Sequence, residues 1–590
     1  MRALSVAVRA DSGAQLGSGH VMRCLALALE LRKRGATVRF VCREYAGHIS
    51  DRVRDAGFQV LLLPAVTGGA SDRDDACETL AVLGEPFVDW VVVDHYDFDA
   101  AWEATLRCAG SKVLAIDDLA NRVHSADMLL DQNYFGAATP VRYESLVAPH
   151  CRQLLGPGFA LLQPAFAELA SVMPARGGYR RRILVSFGGS DATNETGAAL
   201  EALSQREFTD YAVDVVLGPN HPAPQAVTEA ALRRAGTTVY RNPPSLAGLM
   251  ARADLALGAA GSTTWERLCL RLPAVVVTAA DNQVDFTRSV HEAGYVHWIG
   301  SVPRTPAEYA LALSTVELNL EALPPLVDGL GARRVADAML SIAASSSPVN
   351  TELSAFAGSP VAGDCSGEAA VAGLDLTFLT DRHSWVNNYL ATPLSALVRA
   401  GHRVHWSHDS RAVSPGHLCF VLGWERLLDR DFRSRFRHTL VVHASDLPRG
   451  RGMSPLSWQI LEGRREVVVT LLEAEDAADS GDIYAQERLQ FEGTELLPEM
   501  HDVLGAATVR LCERAIMLFT SGDLLGRPQT GEPSSYRRRR PSDSRLDPTK
   551  TLEAQFDLLR VVDNRKYPAF FEIRGRAYEL HIHPRRIADG

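Results

Sequence analysis

The sequence predicts an α/β protein built from several units with parallel sheets, and three observations support this prediction. Short apolar runs rich in valine, such as 37–42, 90–93 and 274–278, alternate with amphipathic stretches, which is the pattern of strands joined by helical crossovers. The chain has 590 residues, more than one hydrophobic core holds at about 100–200 residues per domain. A stretch of small residues at 345–372 divides the chain.

The first two units are predicted to be lobes of similar size, at 1–172 and 173–344. Apolar runs predict the strands of both lobes, and a helix at 21–34 ends before Gly35. Because both units alternate strands with helices, we expect a cleft between two parallel sheets. The predicted strands are 4–8, 37–42, 60–63, 90–93 and 113–116 in the first lobe, and 182–186, 212–217, 238–240, 255–258 and 274–278 in the second.

The stretch 345–372 is predicted to be a flexible linker, so we expect the halves on either side to be soluble and active independently. A third α/β unit is predicted at 373–535, and a small C-terminal subdomain at 536–590. Within that subdomain a helix follows 551, a hairpin turns at 574–575, and the basic run 537–540 reads as a solvated loop. The predicted strands of the third unit are 374–379, 404–406, 418–422, 440–442 and 467–472.

Composition narrows the class of protein. A hydrophobic fraction of 46% and a charged fraction of 22% exclude a disordered chain, a collagen-like chain and a coiled-coil rod. The net charge of −10 argues against a nucleic-acid partner. No run is long enough to span a membrane, no signal peptide is evident, and the nine cysteines form no CxxC, which argues against disulfides and a structural metal. We expect a soluble cytoplasmic protein without a bound metal.

The first candidate site is the glycine-rich loop before the first helix. Gly17 and Gly19 allow close backbone approach, and His20 stands at the helix start, where the dipole favours a neutral imidazole that can act as a base. Arg23 lies one turn later, and we expect Gly17, Gly19 and Arg23 to bind the substrate. A histidine that only caps the helix is the alternative interpretation.

This loop belongs to a longer resemblance. The stretches RADSGAQLGSGHVMRCLALA, VVVDHYDFD, IDDLANR, MLLDQNY, LLGPGFALLQPAF, ILVSFGGSDATN and GAAGSTTWERLCLRLPAVVVTAADNQ resemble, in order over residues 1–345, the UDP-sugar hydrolases of pseudaminic acid biosynthesis, relatives of GT-B glycosyltransferases. The resemblance implies a GT-B-like fold, and it implies that His20 activates the water that releases UDP from a 2,4-diacetamido-2,4,6-trideoxy-L-altrose donor. Four residues at strand ends that face the cleft are candidates for contact with the substrate: Asp94, His95, Asp117 and Asp118.

The second lobe is predicted to bind the UDP. Two glycine-rich turns after strands can present backbone N–H groups to phosphate. In related UDP-sugar glycosyltransferases a glutamate matching Glu266 receives the ribose hydroxyls, although a first-turn glutamate also complements the helix dipole. The predicted binding residues of this lobe are Gly188, Gly189, Ser190, Gly261, Ser262, Glu266, Asn282 and Gln283.

The second candidate site joins His443 to Asp479. Each follows a predicted strand of one sheet, so we expect them to meet at the sheet's carboxyl edge. The stretch HASDLPRGRG, the triplet DSG at 479–481 and the tail YRRRRPSDSRLD with QFDLLRVVDNRKYPAFF resemble, over about 374–590, the folate-dependent formyltransferases. The resemblance implies a Rossmann-like domain, with 10-formyltetrahydrofolate as formyl donor, His443 and Asp479 as catalytic residues and Arg451 as a substrate ligand.

One position departs from the formyltransferase pattern. The family places an asparagine that shares the oxyanion two residues before the histidine, and here Val441 stands there. Loss of one such donor typically lowers the rate by ~10²–10³-fold. Thr439, Asn387 and Asn388 are the candidate replacements, and we favour a replacement because the rest of the motif is intact.

Together these features predict a bifunctional enzyme of pseudaminic (nonulosonic) acid biosynthesis that acts on a UDP-linked amino sugar. The C-terminal half is expected to formylate the 4-amino group before the N-terminal half removes UDP. One alternative is a UDP-sugar glycosyltransferase fused to a catalytically impaired formyltransferase-like binding domain. Another is tRNA formylation, against which the acidic charge argues. The oligomeric state is not predicted.

Overall fold

A computed structural model describes residues 3–14, 16–66, 72–85, 88–176, 182–234, 236–345, 373–382, 384–564 and 567–582. The first lobe contains seven parallel strands in the order β3-β2-β1-β4-β5-β6-β7. The last two strands were not predicted, because neither contains a run of valine. The elements are β1 Ser5–Ala10, α1 Gly19–Lys33, β2 Thr37–Arg43, α2 Ser50–Asp55, β3 Gln59–Leu63, α3 Asp72–Leu83, β4 Trp90–Asp94, α4 Ala100–Cys108, β5 Lys112–Ile116, β6 Met128–Asp131 and β7 Arg152–Leu155. The next helix, α5 Pro164–Val172, packs on helices of the second lobe.

The second lobe contains six parallel strands in the order β10-β9-β8-β11-β12-β13. All five predicted strands are present, and β13 is the addition. The elements are β8 Arg182–Ser186, α6 Glu195–Leu203, β9 Ala212–Leu217, α7 Pro224–Arg233, β10 Thr237–Arg241, α8 Ala247–Arg252, β11 Leu255–Ala259, α9 Ser262–Cys269, β12 Ala274–Thr278, α10 Val284–Glu292, β13 His297–Ser301, α11 Pro306–Thr315 and α12 Gly331–Ser345. The α/β fold class with two parallel-sheet lobes is thereby confirmed.

The C-terminal half has a mixed sheet in the order β15-β14-β16-β17-β19-β20. Its first four strands are parallel, whereas β19 runs antiparallel to both β17 and β20. The elements are β14 Asp375–Thr380, α13 Asn387–Arg399, β15 Arg403–Ser407, β16 Gly416–Leu422, α14 Arg430–Arg433, β17 Phe436–His443, β18 Arg451–Gly452, α15 Pro455–Leu461, β19 Glu466–Glu473, β20 Ile483–Gln490, α16 Leu497–Ser521, β21 Ser535–Tyr536, α17 Phe556–Arg560, β22 Ala569–Ile573 and β23 Arg576–Leu580.

The tail packs through its arginines. Strands β22 and β23 form the predicted hairpin around residues 574–575. Arg537 forms an ion pair with Asp543, and Arg539 is buried and donates to the Val561 carbonyl at 2.5 Å. The prediction of a solvated basic loop is therefore wrong for Arg539, whose guanidinium satisfies a backbone carbonyl inside the subdomain.

Two crossings join the lobes. The chain leaves the first lobe before α5 and returns after α11, so that α12 packs on α1 of the first lobe. The crossings are tight, since a Cβ on Gly331 would lie 2.2 Å from the Ala160 carbonyl oxygen and one on Gly329 would lie 2.8 Å from Ala167.

The halves on either side of the predicted linker are in contact. Helix α13 of the C-terminal half packs on α5 and α8, and apolar side chains of all three helices belong to one continuous buried cluster. The linker itself, apart from residue 345, lies outside the described residues. Its composition gave no reason to expect this interface. The expectation that each half is soluble and active by itself stays a prediction.

The part of the chain that the structure describes contains no helix both long and apolar enough to cross a membrane.

Gly218, at the end of β9, provides a test of the second lobe's packing. A Cβ there would lie 2.3 Å from the Gly189 carbonyl oxygen and 2.5 Å from that of Gly188, and backbone atoms cannot move aside. We expect Gly218→Ala to lower the melting temperature of the second lobe by about 2–10 °C in calorimetry. Gly158→Ala is the matched control, because a Cβ at Gly158 meets no described atom within 4 Å. Equal melting temperatures for the two variants would contradict this close approach.

Candidate functional site

The N-terminal site lies at the carboxyl edge of the first sheet. Strand β4 neighbours β1, so Asp94 at the end of β4 faces the glycine-rich loop that follows β1. Gly13 and Gly17 close that loop with two reciprocal backbone hydrogen bonds of 2.8 and 3.1 Å, and Gly17 has a φ of 75°, which favours glycine. The loop delivers His20 to the first turn of α1.

Asp94 fixes the orientation of His20. The imidazole Nδ1 lies 2.6 Å from Asp94 Oδ1, and Arg23 donates two hydrogen bonds of 2.6 Å to the same carboxylate. Burial favours a neutral Asp94, but the charges of Arg23 and His20 prevail and hold its pKa well below the usual range. Because the carboxylate is ionised, we assign the hydrogen of the neutral ring to Nδ1, which leaves Nε2 as an acceptor. This is the arrangement of an oriented general base.

The structure places Arg23 between carboxylates. Its guanidinium is buried, pairs with Asp94, and has one further nitrogen 3.4 Å from Asp118. The contacts of Arg23 show that it holds Asp94 in place. Its role as a substrate ligand stays a prediction.

Tyr96 is one of the site residues that the sequence did not predict. Its ring lies edge-on to the His20 ring with centroids 4.7 Å apart, and its hydroxyl is 3.4 Å from Asp118. From the second lobe, the Asn282 amide donates to the Tyr96 hydroxyl at 2.8 Å. The available signal was an aromatic residue two positions after a strand-end aspartate.

The other strand-end residues make mostly structural contacts. His95 Nε2 is 3.5 Å from Asp11, and its ring stacks on Phe98. Asp117 is buried and accepts from the Tyr143 hydroxyl and pairs with Arg122 at 2.8 Å. His95 and Asp117 therefore brace the loops of this edge, and any contact with substrate stays a prediction.

The second lobe brings its glycine-rich turns to the same cleft. The Ser190 hydroxyl donates to the Ala14 carbonyl of the first lobe at 3.0 Å, and a Cβ on Gly19 would lie 3.9 Å from Ser262 Oγ. Gly261, with a φ of 120°, stands directly before α9, and a Cβ there would be 3.5 Å from the Gln283 amide nitrogen. Residues predicted separately in the two lobes thus line one cleft.

Glu266 has a carboxylate oxygen that accepts no hydrogen bond from any described residue. It lies on α9, and its Oε2 is buried with no hydrogen-bond donor among the residues that the structure describes. Burial raises the pKa of Glu266 to about 7, and the charge of Arg267 offsets only part of that effect. An unpaired carboxylate in this position can accept hydrogen bonds from neighbouring hydroxyl groups of a ligand.

The C-terminal site forms around His443 at the end of β17. Its Nε2 donates to the Gly450 carbonyl at 2.9 Å, and its Nδ1 lies 3.4 Å from Asp479 Oδ1. Asp479 has a φ of 54° and accepts from the Gly452 amide at 2.8 Å. The predicted pair is therefore present, but at a separation longer than a usual hydrogen bond.

The route by which Asp479 reaches His443 differs from the prediction. Strand β19 is antiparallel to β17, and Glu473 at its end pairs with Leu440, three residues before His443. The ends of the two strands therefore do not share an edge. The loop 474–482 carries Asp479 back to the histidine instead.

Gln529 holds that loop and was not predicted. Its amide nitrogen donates to the carbonyls of Asp479 and Gly481 at 2.8 Å each, and its oxygen accepts from Arg451 at 2.6 Å. Every polar atom of the Gln529 amide is thus used to hold the Asp479 loop to β18. Arg451 takes part in this support, and its role as a substrate ligand stays a prediction.

Two candidate replacements for the family asparagine are unsuitable. Val441 itself packs in apolar clusters. Thr439 lies four residues before His443 on the same strand, a separation of about 13 Å at ~3.3 Å per residue. The Asn387 amide nitrogen donates to the carbonyls of Asp381 and Arg382, so both of its N–H groups are occupied. Asn388 follows in the same helical turn and stays a prediction.

Within the described ranges, no cluster of three or more histidine, cysteine, aspartate and glutamate side chains is arranged to hold a metal ion.

The raised pKa of Glu266 generates a test in the unliganded protein. An unfolded glutamate titrates near ~4.3, so between that pH and about 7 the folded protein keeps a proton that the unfolded chain has lost. The free energy of unfolding contributed by this group therefore falls as the pH rises through that interval. Glu266→Gln lacks the titration, so we expect its melting temperature relative to the wild type to be higher at pH 8 than at pH 5.

Calorimetry of both proteins at the two pH values measures this difference. The exposed Glu207→Gln is the control for loss of one negative charge. Parallel pH profiles of wild type and Glu266→Gln would show that the carboxyl group is not desolvated.

The two halves of the chain are similar to different known proteins. Residues 407–509 match the family model described as formyl transferase. A UDP-2,4-diacetamido-2,4,6-trideoxy-beta-L-altropyranose hydrolase of Campylobacter jejuni is 22% identical over 293 residues, which are 50% of this chain and 98% of that protein. An uncharacterized protein of Methanocaldococcus jannaschii is 25% identical over 289 residues, 46% of this chain and 55% of that protein. This chain thus spans about half the length of the latter relative.

Solved structures with similar regions fall into two groups. A methionyl-tRNA formyltransferase from Clostridium thermocellum is 20% identical with a TM-score of 0.31 and covers 36% of this chain and 94% of its own. MurG from Acinetobacter baumannii is 16% identical with a TM-score of 0.40 and covers 57% of this chain and 99% of its own. Residues 407–509 of this chain thus match the formyl transferase family model, and its N-terminal half is similar to a UDP-sugar hydrolase.

Proposed function

We propose that the chain is a bifunctional nucleotide-sugar enzyme of pseudaminic (nonulosonic) acid biosynthesis that works in the cytoplasm. The C-terminal half formylates the 4-amino group of a UDP-linked aminosugar with 10-formyltetrahydrofolate as donor. The N-terminal half hydrolyses UDP from the resulting 2,4-diamido-2,4,6-trideoxy-L-altrose donor. The observation that carries the proposal is that one chain holds two His–Asp pairs, His20–Asp94 and His443–Asp479, in separate α/β units.

The N-terminal reaction needs one base and a cradle for the leaving group. As the water oxygen bonds to the anomeric carbon, Nε2 of His20 accepts the water proton, and Asp94 stabilises the imidazolium through Nδ1. The bond from the anomeric carbon to the diphosphate oxygen breaks, and the electron pair leaves with UDP. Because UDP is a good leaving group, no second carboxylic acid is required. The turns at 188–190 and 261–262 face the diphosphate, and Glu266 accepts from the ribose hydroxyls.

The C-terminal reaction transfers a formyl group to an amine. The amine nitrogen bonds to the formyl carbon while the bond between that carbon and the donor nitrogen breaks. The amine loses one proton and the departing donor nitrogen gains one. Asp479, 3.4 Å from His443, accepts the proton that the amine loses, and His443 supplies the proton that the departing nitrogen gains. Gln529 keeps Asp479 in reach.

A second candidate function rests on Val441. Its apolar surroundings and the occupied amide of Asn387 favour a C-terminal half that binds formyl donor or sugar with impaired turnover. The N-terminal half then acts as a glycosyltransferase, with an acceptor hydroxyl in place of water.

Mass spectrometry of the products separates the candidates. The full chain is incubated with a UDP-4-amino sugar, with and without 10-formyltetrahydrofolate and without any acceptor. The proposed function predicts an N-formylated free sugar and UDP. Folate binding without a gain of formyl mass supports the impaired domain, and absence of UDP release without an acceptor supports the glycosyltransferase.

His20→Ala is expected to reduce UDP release by about 10²–10⁴-fold, the usual contribution of a general base, while formyl transfer continues at the rate of the wild type. The exposed His150→Ala in the same lobe is the matched control and is expected to leave both rates unchanged. UDP release by His20→Ala at the rate of the wild type would show that another group activates the water.

Asp479→Asn is expected to stop formyl transfer and leave UDP release from an already acylated substrate intact. Asp476→Asn, in the same loop but exposed and paired with Arg433, is its control.

Gln529→Leu should lower kcat for formyl transfer with a smaller change in KM, since it frees the loop that positions Asp479. Hydrolysis that declines together with formyl transfer in Asp479→Asn would contradict separate sites.

A further inference from the structure

The contact between the two halves has the character of a protein interior. Helix α13 lies between α16 of its own domain and the helices α5 and α8 of the N-terminal half. Leu390, Ala391 and Leu394 on α13 are at most 4% exposed and belong to the same apolar cluster as Leu169 and Met250. A tether that merely kept two enzymes together would leave such a helix face exposed to water.

Close contact between helices and an ion pair are also found at this interface. A Cβ on Gly248 of α8 would lie 4.0 Å from the Ala391 Cβ, so the two helices meet at small residues. Beside them Glu168 of α5 accepts a bidentate pair of hydrogen bonds from Arg399 at 2.8 and 3.1 Å, and it also accepts from the Ser395 hydroxyl.

The contact between the two lobes is of a different kind. Among the described residues, and apart from the two chain crossings and α12, the hydrogen bonds that cross the cleft are few and come from polar side chains. Most buried apolar residues of the first lobe belong to two other clusters, whereas the second lobe shares a cluster with the C-terminal half. The cross-cleft bonds are Ser190 to Ala14, Asn220 to Gly47, Arg52 to Asn242 and Pro243, and Asn282 to Tyr96.

We propose that α13 docks the C-terminal half onto α5 and α8 as a stable intramolecular interface, so that the second lobe and the C-terminal half form one rigid body. The partner surface is supplied by the same chain. The mechanical boundary of the molecule then lies at the cleft between the lobes and not at residues 345–372. This inference does not depend on either reaction assigned above.

Cleavage between the halves tests the interface in the full chain. A protease site is placed within 346–372, and the purified protein is cut and run on size exclusion at micromolar concentration. We expect the two pieces to elute together as one species. Elution of the pieces at their separate sizes would overturn the proposal.

Ala391→Glu places a negative charge in the interface. Its side chain faces solvent when the two halves separate, so the charge is unfavourable only in the docked state. We expect the cut Ala391→Glu protein to separate and the cut Ala396→Glu protein, altered on the exposed face of the same helix, to stay together. Gly248→Trp tests the opposite side of the contact, and Gly248→Ala is its control because an added methyl group makes ordinary contact there. Circular dichroism of the uncut variants confirms folding. Co-elution of the cut pieces in both Ala391→Glu and Gly248→Trp would also overturn the proposal.

The ion pair provides a second, graded measurement. The dissociation constant of the cut pieces is measured for Glu168→Arg, which sets two guanidinium groups against each other, and for Glu168→Arg with Arg399→Glu, which restores opposite charges. We expect the single variant to bind about threefold to tenfold more weakly and the double variant to recover most of that loss. Equal dissociation constants for wild type and both variants would show that these residues do not meet in solution.

Discussion

The N-terminal site depends on one buried carboxylate, that of Asp94, staying ionised. Asp94 is 1% exposed, and a lone carboxylate so buried would take up a proton. Arg23 supplies two hydrogen bonds and a full positive charge, so the carboxylate stays an acceptor and can fix the His20 tautomer. Arg23 is itself tied to α1 one turn after His20, and the histidine and its support therefore move together. The glycine-rich loop, the strand end and the first turn of the helix are all arranged around this one pairing.

Local pattern determined what the sequence could predict. Strands buried on both faces, such as β4 and β12, read as runs of valine, and the residues at their carboxyl ends were identified as the cleft. The short β6 and β7 and the edge strand β20 lack such runs and were missed. The direction of β19 was also beyond reach, because an apolar run is the same for a parallel and an antiparallel neighbour. Asp479 was therefore identified correctly although the path assigned to it was wrong.

Contacts between distant segments escaped prediction for a related reason. Tyr96 and Asn282 are 186 residues apart, and nothing in either neighbourhood indicates the other. Gln529 supports Asp479 from a segment without periodic pattern. The α13 interface is the largest instance, since the apolar face of α13 reads from sequence as the packing surface of its own domain. The small-residue linker suggested independence, but linker composition reports only on the linker, and not on the surfaces that it brings together.

The two sites differ in how complete they are, and magnitudes show why this matters. At the N-terminal site the proposed base His20 and its orienting carboxylate are both present, and Glu266 has a buried oxygen that no described residue satisfies. The good leaving group of the proposed substrate removes the need for a further acid. At the C-terminal site Val441 replaces one oxyanion donor of the formyltransferase pattern. In other enzymes, loss of one such donor lowers the rate by ~10²–10³-fold, which corresponds to a barrier about 3–4 kcal/mol higher. Of the groups weighed as substitutes, Thr439 is too far along β17 and the Asn387 amide is occupied. A site that retains full activity must therefore obtain its oxyanion donor from another residue. Of the three candidate replacements, Asn388 is the one whose side-chain amide makes no hydrogen bond to a described residue.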